Sequence, residues 1–150
     1  MENWIWGLSL ITLTLGIHAS GLVFIALVLL NIWDRVETRG LRLRHVFAIW
    51  FALISSVGLL LAVLQGIEAG LWAAAYWWLD AFTSPREAIL YSVDSMTTRG
   101  ALGLALPEHW RMMGALESVG GMLLFGISTA FIFAVMHVYW PIFTKCRRPQ

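Results

Sequence analysis

The sequence predicts an all-α integral membrane protein with three spanning helices and one shorter helix that enters the membrane and returns. Of its 150 residues, 59% are apolar and 13% are charged, whereas about a quarter of the residues in a soluble domain are charged. Three apolar runs are each long enough to cross the roughly 30 Å of hydrocarbon in a bilayer. The fourth predicted helix lies between the second and third runs and is too short to cross.

The first apolar run, residues 1–33, carries no charged side chain between Glu2 and Asp34. It lacks the basic start of a cleaved signal and is too long for one, so we interpret it as a retained spanning helix. His18 lies near its middle, where an ionisable side chain suggests a functional role. No second metal-ligating or acidic residue stands at ligand spacing, which favours a neutral histidine hydrogen-bonded to a neighbouring helix.

The other two runs form an outer helix, residues 46–79, and an inner helix, residues 108–140. A basic loop, residues 34–45, precedes the outer helix, and a basic tail, residues 141–150, follows the inner helix. Aromatic residues near the end of the outer helix predict a belt at the membrane surface; they are Trp72, Tyr76, Trp77 and Trp78.

Seven of the ten Lys and Arg residues lie in the basic loop and the basic tail. The positive-inside rule therefore places both in the cytoplasm and the N-terminus outside an inner or plasma membrane. The net charge of +1 comes with no basic surface, so we expect no nucleic-acid partner. Cys146 is the single cysteine and can form no internal disulfide.

The histidines do not form a catalytic or metal-binding pattern. No carboxylate pair or nucleophile motif accompanies them, so we expect neither enzymatic activity nor a cofactor. They are scattered along the chain at His18, His45, His109 and His137.

The connection between the outer and inner helices begins with helix-start signals. Ser84 is a predicted N-cap, Pro85 suits the first helical position, and Glu87 would complete a capping box. These signals predict a helix over 85–96. The small residues of 97–103 follow it, and such a segment stays irregular at membrane depth only where it is buried in protein or lines water. We therefore predict a re-entrant helix followed by an extended loop.

Residues 46–140 resemble the pore module of potassium-channel-like pore-loop proteins of the two-helix pore type. In that family the pore helix ends in a Thr-Thr-Val-Gly-Tyr-Gly-Asp filter, and the inner helix carries hinge glycines. Residues 92–98 match the end of the pore helix, and Gly121 and Gly126 stand at the hinge positions. The resemblance implies a homotetramer in the lipid bilayer that conducts monovalent ions along a central axis. Close helix packing is the alternative role for the two glycines.

The segment that matches the filter, here called the filter-like loop, departs from the family pattern. Val, Tyr, the second Gly and Asp are replaced by Arg99, Ala101, Leu102 and Gly103. The family's glycines adopt left-handed backbone conformations, which would cost a leucine about 1–2 kcal/mol. Altered or weak selectivity is therefore expected. The full loop is Thr97, Thr98, Arg99, Gly100, Ala101, Leu102 and Gly103.

Arg99 is expected to lie behind the loop, paired with Asp94 on the short helix, because an unpaired charge inside a membrane is costly. Glu68 and Glu117 are alternative partners. Two functions stay open at this point. One is a tetrameric pore with altered selectivity, and the other is a non-conducting scaffold or regulatory subunit of another channel or transporter.

Overall fold

A computed structural model describes the backbone of residues 2–37, 43–100 and 103–146, and the side chains of residues 2–32, 48–100 and 103–138. Every regular element in these ranges is helical. They are α1 (Glu2–Glu37), α2 (Leu43–Trp78), α3 (Pro85–Met96), a 3-10 turn (Glu108–Trp110) and α4 (Arg111–Cys146).

Three of the helices are long and apolar enough to cross a membrane. The candidate spans are Glu2–Ile32, Ala48–Trp78 and Glu108–Val138. With 12 residues, α3 is about 18 Å long and cannot cross. The protein is thus an all-helical membrane protein with three candidate spans, as the composition predicts.

The long helices extend further than their apolar runs. The first helix continues past residue 33 to Glu37, and α2 begins at Leu43 in place of the predicted residue 46. The predicted end of the inner helix at residue 140 is wrong, because α4 continues through Pro141 to Cys146. Hydropathy marks the limits of the hydrocarbon, whereas a helix can continue into the polar interface, and membrane helices tolerate proline. Part of the basic loop, residues 38–42, lies outside the described residues.

Two apolar clusters hold the helices together. One lies where α3 packs between α2 and α4 and contains Trp72, Tyr76, Phe82, Trp110 and Met113. The other joins the three long helices nearer their opposite ends and contains Ile25, Leu29, Val57, Leu61 and Val135.

The predicted aromatic belt is wrong for two of its four members. Trp72 and Tyr76 are fully buried, while Trp77 and Trp78 are exposed. Residues four apart share one helix face, so Trp72 and Tyr76 both lie on the face of α2 that packs into the core. Aromatic composition alone does not distinguish that face from the membrane surface.

Candidate functional site

The short helix α3 begins at the predicted position. Ser84 has an extended backbone (φ −121°, ψ 128°) and Pro85 follows as the first helical residue. The amide of Ala88 donates to the Ser84 carbonyl at 3.1 Å. The predicted capping box is wrong, however, because the Ser84 side chain makes no capping hydrogen bond. Backbone geometry and the fixed φ of proline are sufficient to start the helix here.

The C-terminal end of α3 reaches the middle of α4. Gly121, near the centre of the candidate span Glu108–Val138, contacts the backbone of Met96, and a Cβ at position 121 would lie 2.5 Å from the Met96 carbonyl oxygen. At Gly126 a Cβ would meet nothing within 4 Å. Gly121 therefore serves close packing of α3 on α4, whereas Gly126 makes no such contact within the chain.

The chain reverses direction immediately after α3. Thr98 donates its amide to the Ser95 carbonyl at 3.0 Å, and Arg99 donates to the Asp94 carbonyl at 3.1 Å. Thr98 is left-handed, with φ 56°. These two bonds and the left-handed residue define a Schellman motif. The predicted extended loop is thus wrong at its first residues, because the helix end folds into a turn.

Further along the filter-like loop, Gly100 and Gly103 have φ values of 75° and 83°. Both are conformations that glycine adopts without the steric cost a side chain would add. Ala101 and Leu102, including the predicted strain at Leu102, lie outside the described residues.

Asp94 and Arg99 are neighbours at this turn. Arg99 Nε lies 3.6 Å from Asp94 Oδ1, with side-chain exposures of 70% and 23%. The Schellman motif brings the residue after the turn back over the last turn of its helix, which explains the contact. Within the single chain the pair lies at a surface and not in the buried setting expected from the sequence.

Glu68 and Glu117 are not partners of Arg99 and instead form separate buried clusters. Glu117, on α4, accepts a hydrogen bond from the Tyr76 hydroxyl at 2.8 Å, and its other oxygen lies 2.5 Å from Ser92 Oγ. Ser92 Oγ also contacts the Ala69 carbonyl at 2.8 Å. This cluster joins α2, α3 and α4.

Glu68 belongs to the second cluster, which joins α1, α2 and α4. His18 Nδ1 lies 3.0 Å from Glu68 Oε1, and His18 Nε2 lies 3.0 Å from Ser128 Oγ. Both His18 and Glu68 are fully buried. The hydrogen bond expected for His18 is present, and it reaches two neighbouring helices. Among the described residues, none hydrogen-bonds Glu68 Oε2.

Sequence reasoning missed Tyr76, Ser92 and Ser128 as members of these clusters. The available signal was the carboxylates themselves, since a carboxyl group in an apolar span requires hydrogen-bonding partners. Hydroxyl groups on the other helices are the suitable candidates, but the sequence does not show which of them face the carboxylates.

A cavity of about 440 Å³ lies at the C-terminal end of α3. Its walls come from the middle of α2 (Ala62, Gly66), the turn after α3 (Thr97, Thr98) and the middle of α4 (Phe125). The start of the filter-like loop therefore borders open space halfway along the spanning helices.

In comparisons with known proteins, no family model, curated protein or solved structure matches this chain.

Proposed function

We propose that the chain is a potassium-channel-like pore-loop protein that conducts monovalent cations as a homotetramer, with α3 as pore helix. The observation that carries the proposal is the contact between Met96 and Gly121, because it places the C-terminal end of α3 beside the middle of α4. A pore loop consists of a short helix that enters the membrane to half its depth, an irregular return segment and a following spanning helix. Non-helical backbone at that depth must be buried in protein or line a water-filled path.

Electrostatics supports cations as the permeant class. The C-terminal end of a helix carries roughly half a negative charge, and α3 directs this end toward the mid-depth cavity. Arg99 is paired with Asp94 at 3.6 Å, which offsets the positive charge of the loop. The departures at Arg99, Ala101, Leu102 and Gly103 argue for weak discrimination among monovalent cations.

The alternative is a non-conducting scaffold or regulatory subunit of another membrane protein. The Schellman turn favours it, because hydrogen bonds from the turn occupy the carbonyls of Asp94 and Ser95. A loop that starts by folding back on its own helix presents fewer free carbonyls to an ion.

The proposed orientation has the N-terminus outside and residues 34–45 and 141–150 in the cytoplasm of the cell membrane. Labelling of Cys146, the single cysteine, tests this orientation. A membrane-impermeant thiol reagent should leave it unlabelled in intact cells and label it after lysis, whereas labelling of intact cells contradicts this topology.

Flux measurements in liposomes test conduction. Purified protein is reconstituted under separate potassium, sodium and chloride gradients, and we expect potassium and sodium flux above that of empty liposomes. Gly100→Val should abolish the flux because a β-branched residue disfavours φ 75°. Ser20→Ala is the matched control, since Ser20 is exposed and its hydroxyl donates to the Gly16 carbonyl of its own helix.

Absence of flux in the unmodified protein contradicts conduction and favours the scaffold. Chloride flux that Arg99→Leu converts to cation flux shows instead that Arg99 lines the ion path.

A further inference from the structure

Glu117 lies at the centre of the cluster that joins α2, α3 and α4, and its side chain is fully buried. One carboxyl oxygen, Oε2, lies 2.8 Å from the Tyr76 hydroxyl. The other, Oε1, lies 2.5 Å from Ser92 Oγ. Within the described residues no Lys, Arg or His forms an ion pair with it.

The protons available to this cluster can be counted. Ser92 Oγ lies close to two oxygens, the Ala69 carbonyl at 2.8 Å and Glu117 Oε1 at 2.5 Å. Each of these contacts is a hydrogen bond only if a proton lies between the two oxygens. A serine hydroxyl has one proton to donate, and a carbonyl has none. When the Ser92 proton is donated to the Ala69 carbonyl, the contact with Glu117 requires a second proton.

From this count we infer that Glu117 is a carboxylic acid in the folded protein and that its proton joins α4 to α3. Glu117 donates through Oε1 to Ser92, Ser92 donates to Ala69, and Tyr76 donates to Glu117 Oε2. These three contacts are then satisfied without a charge in the membrane. An ionised Glu117 would have to share the single Ser92 proton with the Ala69 carbonyl, and it would bury a charge with no basic partner.

The other groups that face Glu117 fit a neutral acid. The titratable side chains near it are Tyr76 on α2 and Tyr91 on α3. On the side where α1 packs on α4, Gly7 contacts Leu116 and Ile11 lies beside Gly120. The described surroundings supply hydroxyls and apolar groups and no cation, so a bound proton is the species that balances the carboxyl group.

Infrared spectroscopy tests this inference without reference to conduction. The probe is the carbonyl stretch of a protonated carboxylic acid, recorded near neutral pH in a Glu68→Gln background, which removes the other buried glutamate of the described residues. We expect this band in Glu68→Gln and its loss in Glu68→Gln/Glu117→Gln. A background protein without the band overturns the inference, as does a band that persists after Glu117→Gln.

A second variant keeps the carboxyl group in place and removes a donor to it. Tyr76→Phe deletes the hydroxyl that bonds Glu117 Oε2, so the band should move to higher frequency. A band that does not move contradicts the assignment even where Glu117→Gln fails to fold.

Thermal melting tests the protonation of Glu117 independently, and it distinguishes a bound proton from a role of this side chain in packing alone. Glutamine offers a donor NH2 group and an acceptor oxygen in the places of the O–H and C=O of a carboxylic acid, so Glu117→Gln should melt close to the parent while Glu117→Leu melts lower. A proton bound in the folded state and released on unfolding stabilises at low pH, and this stabilisation is lost as pH rises. The melting temperature of the parent should therefore fall more on alkalisation than that of Glu117→Gln. Equal falls in both proteins overturn the inference.

Discussion

At the residue scale, the Schellman turn after α3 determines the position of Arg99. The turn returns the chain over Asp94, and the two side chains meet at 3.6 Å. In the isolated chain such a half-exposed pair contributes about 0.2–1 kcal/mol. If assembly into a ring buried this pair, removing one partner and leaving the other unpaired would cost about 3–5 kcal/mol of stability.

A double-mutant cycle of Asp94→Asn and Arg99→Leu measures this coupling. We expect a small coupling energy in the dissociated chain and a larger one in the assembled protein, because a neighbouring subunit would exclude water from the pair. Unfolding is followed by circular dichroism in detergents that do and do not preserve the assembly. Equal coupling in both states shows that assembly leaves the pair exposed.

The sequence predicts which residues belong to this site more reliably than it predicts which of them contact each other. The neighbours Asp94 and Arg99 are predictable because they are five residues apart on one helix end. The Glu117–Ser92 and His18–Glu68 contacts are not, since their members lie 25 and 50 residues apart. Such pairs depend on helix rotation and tilt, which apolar runs without strong periodicity do not specify.

At the element scale, α3 is positioned by its close approach to α4. Gly121→Ala should shift α3 and destabilise the fold by about 1–3 kcal/mol, because the added methyl group meets the fixed backbone of Met96 and not a flexible side chain. The matched control is Gly126→Ala, which places the same methyl group in open space within the chain. Melting temperatures of the two variants are compared. A Gly121→Ala protein as stable as the Gly126→Ala protein contradicts this packing role.

The first helix, α1, is joined to α2 and α4 by the cluster of His18, Glu68 and Ser128. Replacing one member of a buried pair leaves the other without its partner, so His18→Phe or Glu68→Leu alone should cost about 3–5 kcal/mol. The double variant should recover most of this loss, because apolar residues then face each other. Chemical denaturation measures the cycle, with Ser20→Ala as the control on the same helix. Additive losses in the double variant show that the pair does not couple α1 to α2.

The positions of the helices along the chain can be predicted from the sequence, but the residues at which the long helices end cannot. Pro85 determines the start of α3, since proline is suited to the first helical turn and the residue before it is extended. The ends of α1 and α4 lie beyond their apolar runs, where hydropathy no longer carries information about the helix.

At the scale of the whole molecule, the proposed pore cannot be formed by a single chain. One α3 and one filter-like loop enclose no axis, and the mid-depth cavity lies at the end of one short helix. Conduction requires several copies whose α3 helices converge, so that their negative C-terminal ends act on the same ion.

The number of subunits in a lipid bilayer tests this claim most directly. The protein is incorporated into lipid nanodiscs at a large excess of empty discs and its copies are counted by native mass spectrometry. The proposed pore predicts four copies in each occupied disc. A single copy in each disc under these conditions contradicts it, because a lone chain cannot close a path around an axis.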